Sequence, residues 1–127
     1  VGMGRTAEGL KKGIAELKAV RKEFETNLFI PGSKEGMNVE LDKAIRLYDF
    51  ITMGELVAYD ALNRNESCGG HFREEYQTEE GEAKRDDENF FYVACWEYQG
   101  DDEKAPVLYK EPLVYEAIKV QTRNYKS

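Results

Sequence analysis

Residues 38–65 read NVELDKAIRLYDFITMGELVAYDALNRN. Apolar side chains recur through this stretch at Leu41, Ala44, Ile45, Tyr48, Ile51, Leu56, Val57 and Leu62. That spacing is helical, and Asn38 is a residue type that caps a helix N-terminus. The pattern predicts one long helix from Asn38 to about Asn65, roughly 42 Å in length at 1.5 Å per residue. Gly54 inside it is a weak point worth about 1 kcal/mol relative to alanine. Upstream, Thr6 is a second cap, followed by Leu10, Ile14, Leu17, Val20, Phe24 and Leu28 on one face. Lys11, Lys12, Glu16, Lys18, Arg21, Lys22 and Glu25 make the other face polar. The first helix is therefore placed at Thr6–Leu28. It ends before Pro31-Gly32-Ser33, a link short enough to make the two helices antiparallel neighbours.

Downstream the pattern changes. Cys68-Gly69-Gly70 supplies glycines able to close the second helix in the left-handed conformation. Tyr76 to Asn89 is crowded with charge and reads as a solvated loop. Phe90 to Tyr98 is dense in aromatic and branched residues, a strand signal. Gly100 to Lys104 is a turn. Val107–Lys110 and Val114–Val120 read as a returning strand interrupted at Pro112, which marks an edge or bulge. The expected class is α+β and mainly helical: an antiparallel pair of long helices over about 5–66, then a loop and a C-terminal β-hairpin over about 67–127, with strands near Phe90–Tyr98 and Pro106–Tyr115.

The 127 residues fit one domain with a modest core. Hydrophobic residues make up 41% and charged residues 34%, which places the chain among soluble globular proteins. A net charge of -7 argues against nucleic acid or an anionic membrane surface as direct partner. No apolar run approaches the ~20 residues of a membrane span. The start at Val1 carries neither an apolar signal region nor an initiator methionine, and is read as the edge of a piece cut from a larger protein. Cys68 and Cys95 form no Cys-x-x-Cys pair, so two free thiols in a reducing compartment are expected.

Candidate chemistry is sparse. Gly2-Met3-Gly4 is followed next by Gly9 and preceded by no strand, so it is not a dinucleotide fingerprint. Cys68 and His71, the only histidine, allow a nucleophile–base pair on paper. His71, Glu74 and Glu75 allow a metal site, at no standard spacing. The acidic run Glu79-Glu80-Gly81-Glu82 with Asp86-Asp87-Glu88 allows a cation site, although such runs are usually solvated faces. The aromatic run is more often core than ligand stack. His71 and Arg73 are better suited to hold their loop to a neighbouring surface. No residue is assigned a catalytic, cofactor-binding or metal-binding role.

One stretch is more specific. Asn65-Glu66-Ser67-Cys68-Gly69-Gly70-His71-Phe72-Arg73-Glu74-Glu75-Tyr76, followed by Arg85-Asp86-Asp87-Glu88-Asn89-Phe90, resembles the C-terminal domain of the flavoprotein subunit of succinate dehydrogenases and fumarate reductases. That family typically reads Glu-Ser-Arg-Gly-Ala-His-x-Arg-Glu-Asp-Tyr and then Arg-Asp-Asp-Glu-Asn-Trp. The order of two helices, motif and strand also agrees, and the likeness extends over nearly the whole chain. Cys68 stands in place of the usual arginine, Gly70 in place of alanine and Phe90 in place of tryptophan, and the loop from Tyr76 to Arg85 is longer. L-Aspartate oxidases and adenylylsulfate reductases share part of the signature; the Arg85–Asn89 block favours the succinate/fumarate branch.

The resemblance implies a parent enzyme that interconverts succinate and fumarate with FAD. It would pass electrons to an iron–sulfur subunit on a membrane anchor, at the cytoplasmic face of the inner membrane. The flavin and substrate residues of that family lie upstream of this segment, so the chain alone is expected to be soluble and inactive and to bind no FAD. Ser67, His71, Arg73, Glu74, Glu75, Arg85, Asp86 and Asp87 form the expected domain-docking motif, facing the flavin-binding domain of the same subunit. The helix pair is expected to be the remnant of a three-helix, spectrin-repeat-like bundle. Its uncovered stripe of Leu10, Ile14, Leu17 and Phe24 is expected to drive self-association of the isolated chain. A freestanding acidic helical interaction module is the alternative, and a small Cys68–His71 hydrolase the third reading.

Overall fold

A computed structural model of the chain describes residues 1–101 and 103–122. Its elements in chain order are β1 (Gly4–Arg5), α1 (Ala7–Asn27), α2 (Val39–Asn63), β2 (Phe72–Arg73), α3 (Asp87–Phe90), β3 (Tyr92–Glu97) and β4 (Val107–Pro112). The α+β architecture matches the expectation of a helix pair followed by a hairpin.

Both helices start at their anticipated caps. The Thr6 hydroxyl accepts the Gly9 N–H at 3.0 Å. Asn38 Oδ1 accepts the N–H groups of Glu40 and Leu41 at 3.1 and 3.2 Å. Each bond satisfies a first-turn donor that the helix cannot. Partners run in opposite directions along the two helices: Leu10 packs with Ala58 and Ala61, Arg21 pairs with Glu55, and Phe24 stacks on Tyr48. The pair is therefore antiparallel. Leu17 approaches Gly54 closely enough that a Cβ there would sit 3.7 Å from it, so α2 passes through Gly54 in ordinary contact with α1.

The core is narrow. Leu10, Ala58 and Ala61 are buried, with Ile14 and Leu62 packed against them. The α1 stripe expected to stay open is largely covered: Leu10 is buried, and Ile14, Leu17 and Phe24 are half-buried. The open apolar surface lies instead on the outward face of α2, at Val39, Phe50, Met53 and Val57. These residues share one helical face, because a helix repeats every 3.6 residues.

Strands β3 and β4 pair antiparallel from Tyr92↔Pro112 to Glu97↔Val107. They are shorter at both ends than Phe90–Tyr98 and Pro106–Tyr115. Asp86 caps α3 by accepting the Asn89 N–H, which draws Phe90 into a helical turn. Pro112 ends β4 opposite Tyr92, and just beyond it the Leu113 N–H still donates to the Phe91 carbonyl at 3.2 Å. The stretch Val114–Val120 forms no strand, a correction to the expectation of a resumed strand. Asp102 of the expected turn lies outside the described residues.

Two further features depart from the sequence reading. The region from Tyr76 to Asn89 is not a plain solvated loop: Gln77 and Ala83 form a β-bridge, and Asp87–Phe90 is helical. Gly69 and Gly70 do not close α2, which ends at Asn63 with Arg64 extended as its cap. They form the tip of a tight hairpin in which Cys68 and His71 exchange backbone hydrogen bonds of 2.8 and 3.0 Å. Gly69 has φ +58 there, the left-handed value that the first residue of such a tip requires.

Candidate functional site

The motif after α2 folds into one buried knot at the junction of both helices. Ser67 is fully buried, and its hydroxyl accepts the Arg73 N–H at 2.8 Å and donates to the Arg73 carbonyl at 3.1 Å. Strand β2 is thus pinned to the loop leaving α2, and β1 lies parallel beside it with Gly4 opposite Phe72 and Arg5 opposite Arg73. The Glu74 N–H extends that contact by donating to the Arg5 carbonyl at 2.8 Å.

Arg73 is 2% exposed. Its Nη1 donates to the carbonyls of Ala61 and Leu62 at 2.9 and 3.2 Å. These are last-turn carbonyls of α2, which has no basic residue of its own in that turn. The guanidinium therefore satisfies orphan acceptors and places a positive charge at the negative end of the helix dipole. Its Nε donates to Glu75 Oε2 at 3.1 Å, and its plane lies over the Tyr76 ring at 5.4 Å. Glu75 Oε1 in turn accepts the N–H of Ala7, the first residue of α1. This bond, ahead of the Arg73 contact, holds the Glu75 carboxyl below its usual range, while partial desolvation opposes it. One Arg–Glu pair so ties the end of α2 to the start of α1.

His71 lies beside this link. Its Nδ1 is 2.9 Å from Arg5 Nη1 and its Nε2 is 2.9 Å from the Arg64 carbonyl. A guanidinium can only donate, so Nδ1 accepts and Nε2 carries the proton that goes to Arg64. The ring is the neutral tautomer with both nitrogens engaged. Cys68 meets His71 only through backbone bonds, so this imidazole cannot serve it as a base. Burial lowers the His71 pKa first, the Arg64 carbonyl opposes that, and the charges of Arg5, Arg64 and Arg73 lower it further. Since the folded-state value lies below that of the unfolded chain, the unfolded chain binds more protons between the two. The His71 contribution is thus present above about pH 6.5 and lost as pH falls through the folded value. Urea unfolding from pH 7.5 to 5 is expected to show this decline, and His71→Gln is expected to flatten it.

A second cluster sits on the far side of the loop. Glu66, 2% exposed, accepts Arg64 Nε at 2.8 Å and the Asp86 N–H at 2.9 Å. Arg64 Nη2 reaches the Phe90 carbonyl at 2.7 Å. Arg85 donates to Asp87 Oδ1 through Nε and Nη2 at 3.0 and 2.6 Å, and through Nη1 to the Gln121 carbonyl at 3.1 Å. The bond to Asp87 raises the Arg85 pKa. Ser67, His71, Arg73 and Glu75 thus gather in one knot, while Arg85, Asp86 and Asp87 gather in another joined to it through Glu66 and Arg64. Glu74 joins through its backbone. Arg5, Arg64 and Glu66 were not singled out from the sequence. The signal available for Glu66 was its place inside the quoted motif, next to Ser67. No group of three or more His, Cys, Asp or Glu among the described residues is placed to hold a metal ion.

Residues 1–125 match the family model described as the fumarate reductase flavoprotein C-terminus. The chain belongs to this family. Two solved structures share its shape. One is an E. coli quinol fumarate reductase FrdA mutant, 25% identical over 95% of this chain with a TM-score of 0.76. The other is a quinol-fumarate reductase solved with menaquinol molecules, 25% identical over 93% of this chain with a TM-score of 0.75. This family member spans about one-fifth of the length of either structure's chain, 20% and 19% respectively. No helix among its described residues is long and apolar enough to cross a membrane.

Proposed function

We propose that this chain is the C-terminal scaffold of a fumarate reductase or succinate dehydrogenase flavoprotein subunit. The parent enzyme would interconvert fumarate and succinate with FAD and exchange electrons with an iron–sulfur subunit on a membrane anchor, at the cytoplasmic face of the inner membrane. One observation supports the scaffold role above the others: the buried Arg73 links the end of α2 to the start of α1 through Glu75. Such a knot fixes the angle between helices and motif, which is what a docking platform needs.

The residues here do not form a flavin cradle. A helix N-terminus can receive a phosphate, but at α1 the N–H groups of Gly9 and Ala7 already serve the Thr6 hydroxyl and the carboxylate of Glu75. That negative charge opposes a second anion, and strand β1 runs beside β2 rather than opening a phosphate-binding turn. The flavin and the substrate acids therefore belong to residues outside this chain, and no chemical step is assigned to it.

The outward face of α2 is the proposed docking surface, and its occupant is the remainder of the same subunit. Relatives carry about four-fifths of their length beyond the matched part, and Phe50 and Met53 are 68% and 55% exposed. In the isolated chain the same face is open to a second copy. His71 and Arg73 fix the geometry of the motif at the end of α2 from within.

The test substitutes Phe50→Glu and Met53→Glu together. The isolated chain should keep its thermal midpoint to within roughly 2 °C, because exposed substitutions usually cost under about 0.5 kcal/mol. The full-length subunit should lose flavin and open to protease between its parts. Unchanged flavin content in the full-length double variant would reject this face as the docking surface.

A further inference from the structure

The chain entering α1 is held at two points that respond differently to protons. Residues 1–4 are exposed, and Arg5 is the first residue to be half-buried. Its carbonyl accepts the Glu74 N–H at 2.8 Å, which extends the pairing of β1 with β2. Its side chain donates to the Gly2 carbonyl at 2.7 Å through Nε and to His71 Nδ1 at 2.9 Å through Nη1. Two residues further on lies the second point, where the carboxylate of Glu75 accepts the Ala7 N–H. Thr6 stands between the two. Its backbone is extended, with φ -123 and ψ 154, and its side chain caps α1.

The first point requires a neutral imidazole. A guanidinium has only donors, so Arg5 needs the Nδ1 lone pair. A proton on Nδ1 makes that nitrogen a donor too, and two cations then face each other across 2.9 Å. The ring stays where it is, because Nε2 still donates to the Arg64 carbonyl at 2.9 Å, and a positive ring strengthens that bond. The half-buried Arg5 side chain is the partner free to leave for water. Among the described residues, the charges facing the ring are Arg5 on β1, Arg64 at the C-cap of α2 and Arg73 on β2. The carboxylates nearest those cations are engaged, Glu66 with Arg64 and Glu75 with Arg73. Glu74 is exposed and lies beside Gly4 of β1. Cys68, across the hairpin tip, meets His71 through the backbone alone.

The second point keeps its charge in the same range. The bond from Ala7 holds the Glu75 carboxyl below its usual range, so it remains a carboxylate where a histidine titrates. We propose that His71 is a pH-sensitive latch on β1: on gaining a proton it releases residues 1–5 from β2, while Glu75 keeps the start of α1 in place. Thr6 is the hinge. At neutral pH the chain entering α1 lies against the motif, and in mild acid it swings free. The device uses this chain's own residues and does not depend on the docking face of α2.

His71 is the only histidine in the chain, so its ring proton shift gives the protonated fraction directly. Backbone nitrogen relaxation of the 127-residue chain reads the latch. With the ring neutral at pH 7.5, the order parameters of Gly4 and Arg5 are expected near about 0.85, the value of rigid backbone. With the ring protonated they should fall below about 0.6, while Glu8 and Leu10 of α1 stay near about 0.85. The midpoint of that fall should coincide with the His71 titration. In Arg5→Gln the amide can donate to a neutral ring or accept from a charged one, so the response to pH should vanish. In His71→Gln nothing titrates there, and it should vanish again. The proposal is overturned if Gly4 and Arg5 stay rigid beside a protonated ring, if α1 loosens together with them, or if the fall persists in both variants.

Discussion

Arg73→Ala is expected to lower the unfolding free energy by about 3–5 kcal/mol, the largest loss of any single polar side chain here. The guanidinium is 2% exposed and serves three partners at once. Its removal strands the Ala61 and Leu62 carbonyls, each a buried acceptor worth about 1–3 kcal/mol when unsatisfied. It also removes the cation bonded to the last-turn carbonyls of α2 and frees Glu75 to swing away from Ala7. Glu75 can regain water, because its side chain is 40% exposed, and this keeps the loss within the stated range. Domains of this size hold about 5–15 kcal/mol in total, so the thermal midpoint should fall by roughly 10–20 °C. Arg73→Lys keeps the charge but loses the planar fork, and should recover about half. Urea unfolding decides it: a loss below about 1 kcal/mol for Arg73→Ala would mean that the knot does not hold the helices together. The same substitution separates scaffold from docking. It should weaken the isolated chain and the full-length subunit alike, whereas the Phe50→Glu, Met53→Glu pair should spare the former.

How much of this was legible beforehand follows from the range of each interaction. The helices were legible because their signals are local: a 3.6-residue apolar rhythm and the capping side chains of Thr6 and Asn38, both of which act within three residues. The hairpin was legible in its centre and misplaced at its ends. Aromatic residues favour strands wherever they fall, but Phe90 is captured by a helical turn that Asp86 initiates. The glycine pair after Cys68 announced a bend without saying which one. The β1–β2 ladder was invisible, since a two-residue strand carries no periodicity. The site was half legible for the same reason. His71, Arg73 and Glu75 stand close together in the motif, and the family resemblance drew attention to them. Their partners do not stand close: Arg5 is 66 positions from His71 and Ala7 is 68 from Glu75. Closure of the helix pair creates those contacts, and no local pattern records them. The buried charge of Glu66 has the same origin, bridging Arg64 to Asp86 twenty positions away.

Leu10→Ala is the apolar counterpart, with an expected loss of about 3–4 kcal/mol. Leu10 is 4% exposed and is the only large side chain among the three buried residues of the main core cluster. Its neighbours Ala58 and Ala61 are small, so the helices approach closely at this level and Leu10, with Ile14 and Leu62 packed against the cluster, fills the space between them. Truncation removes three carbons from water-free packing and leaves a cavity that two alanines cannot collapse into without moving α2. Transfer and cavity terms therefore add. Leu10→Met keeps the volume and should cost under about 1.5 kcal/mol. Val20→Ala on the same helix is the internal control: Val20 is 49% exposed, and its loss should stay near 0.5 kcal/mol. Leu10 sits one turn from the α1 N-terminus that Glu75 holds, so the core and the knot meet at the same end of the pair. A double variant of Leu10→Ala with Arg73→Ala should lose less than the sum of the two single losses, because either change alone already loosens the junction that the other supports. Strict additivity within about 0.3 kcal/mol would show instead that the helix interface and the motif stabilise the domain independently.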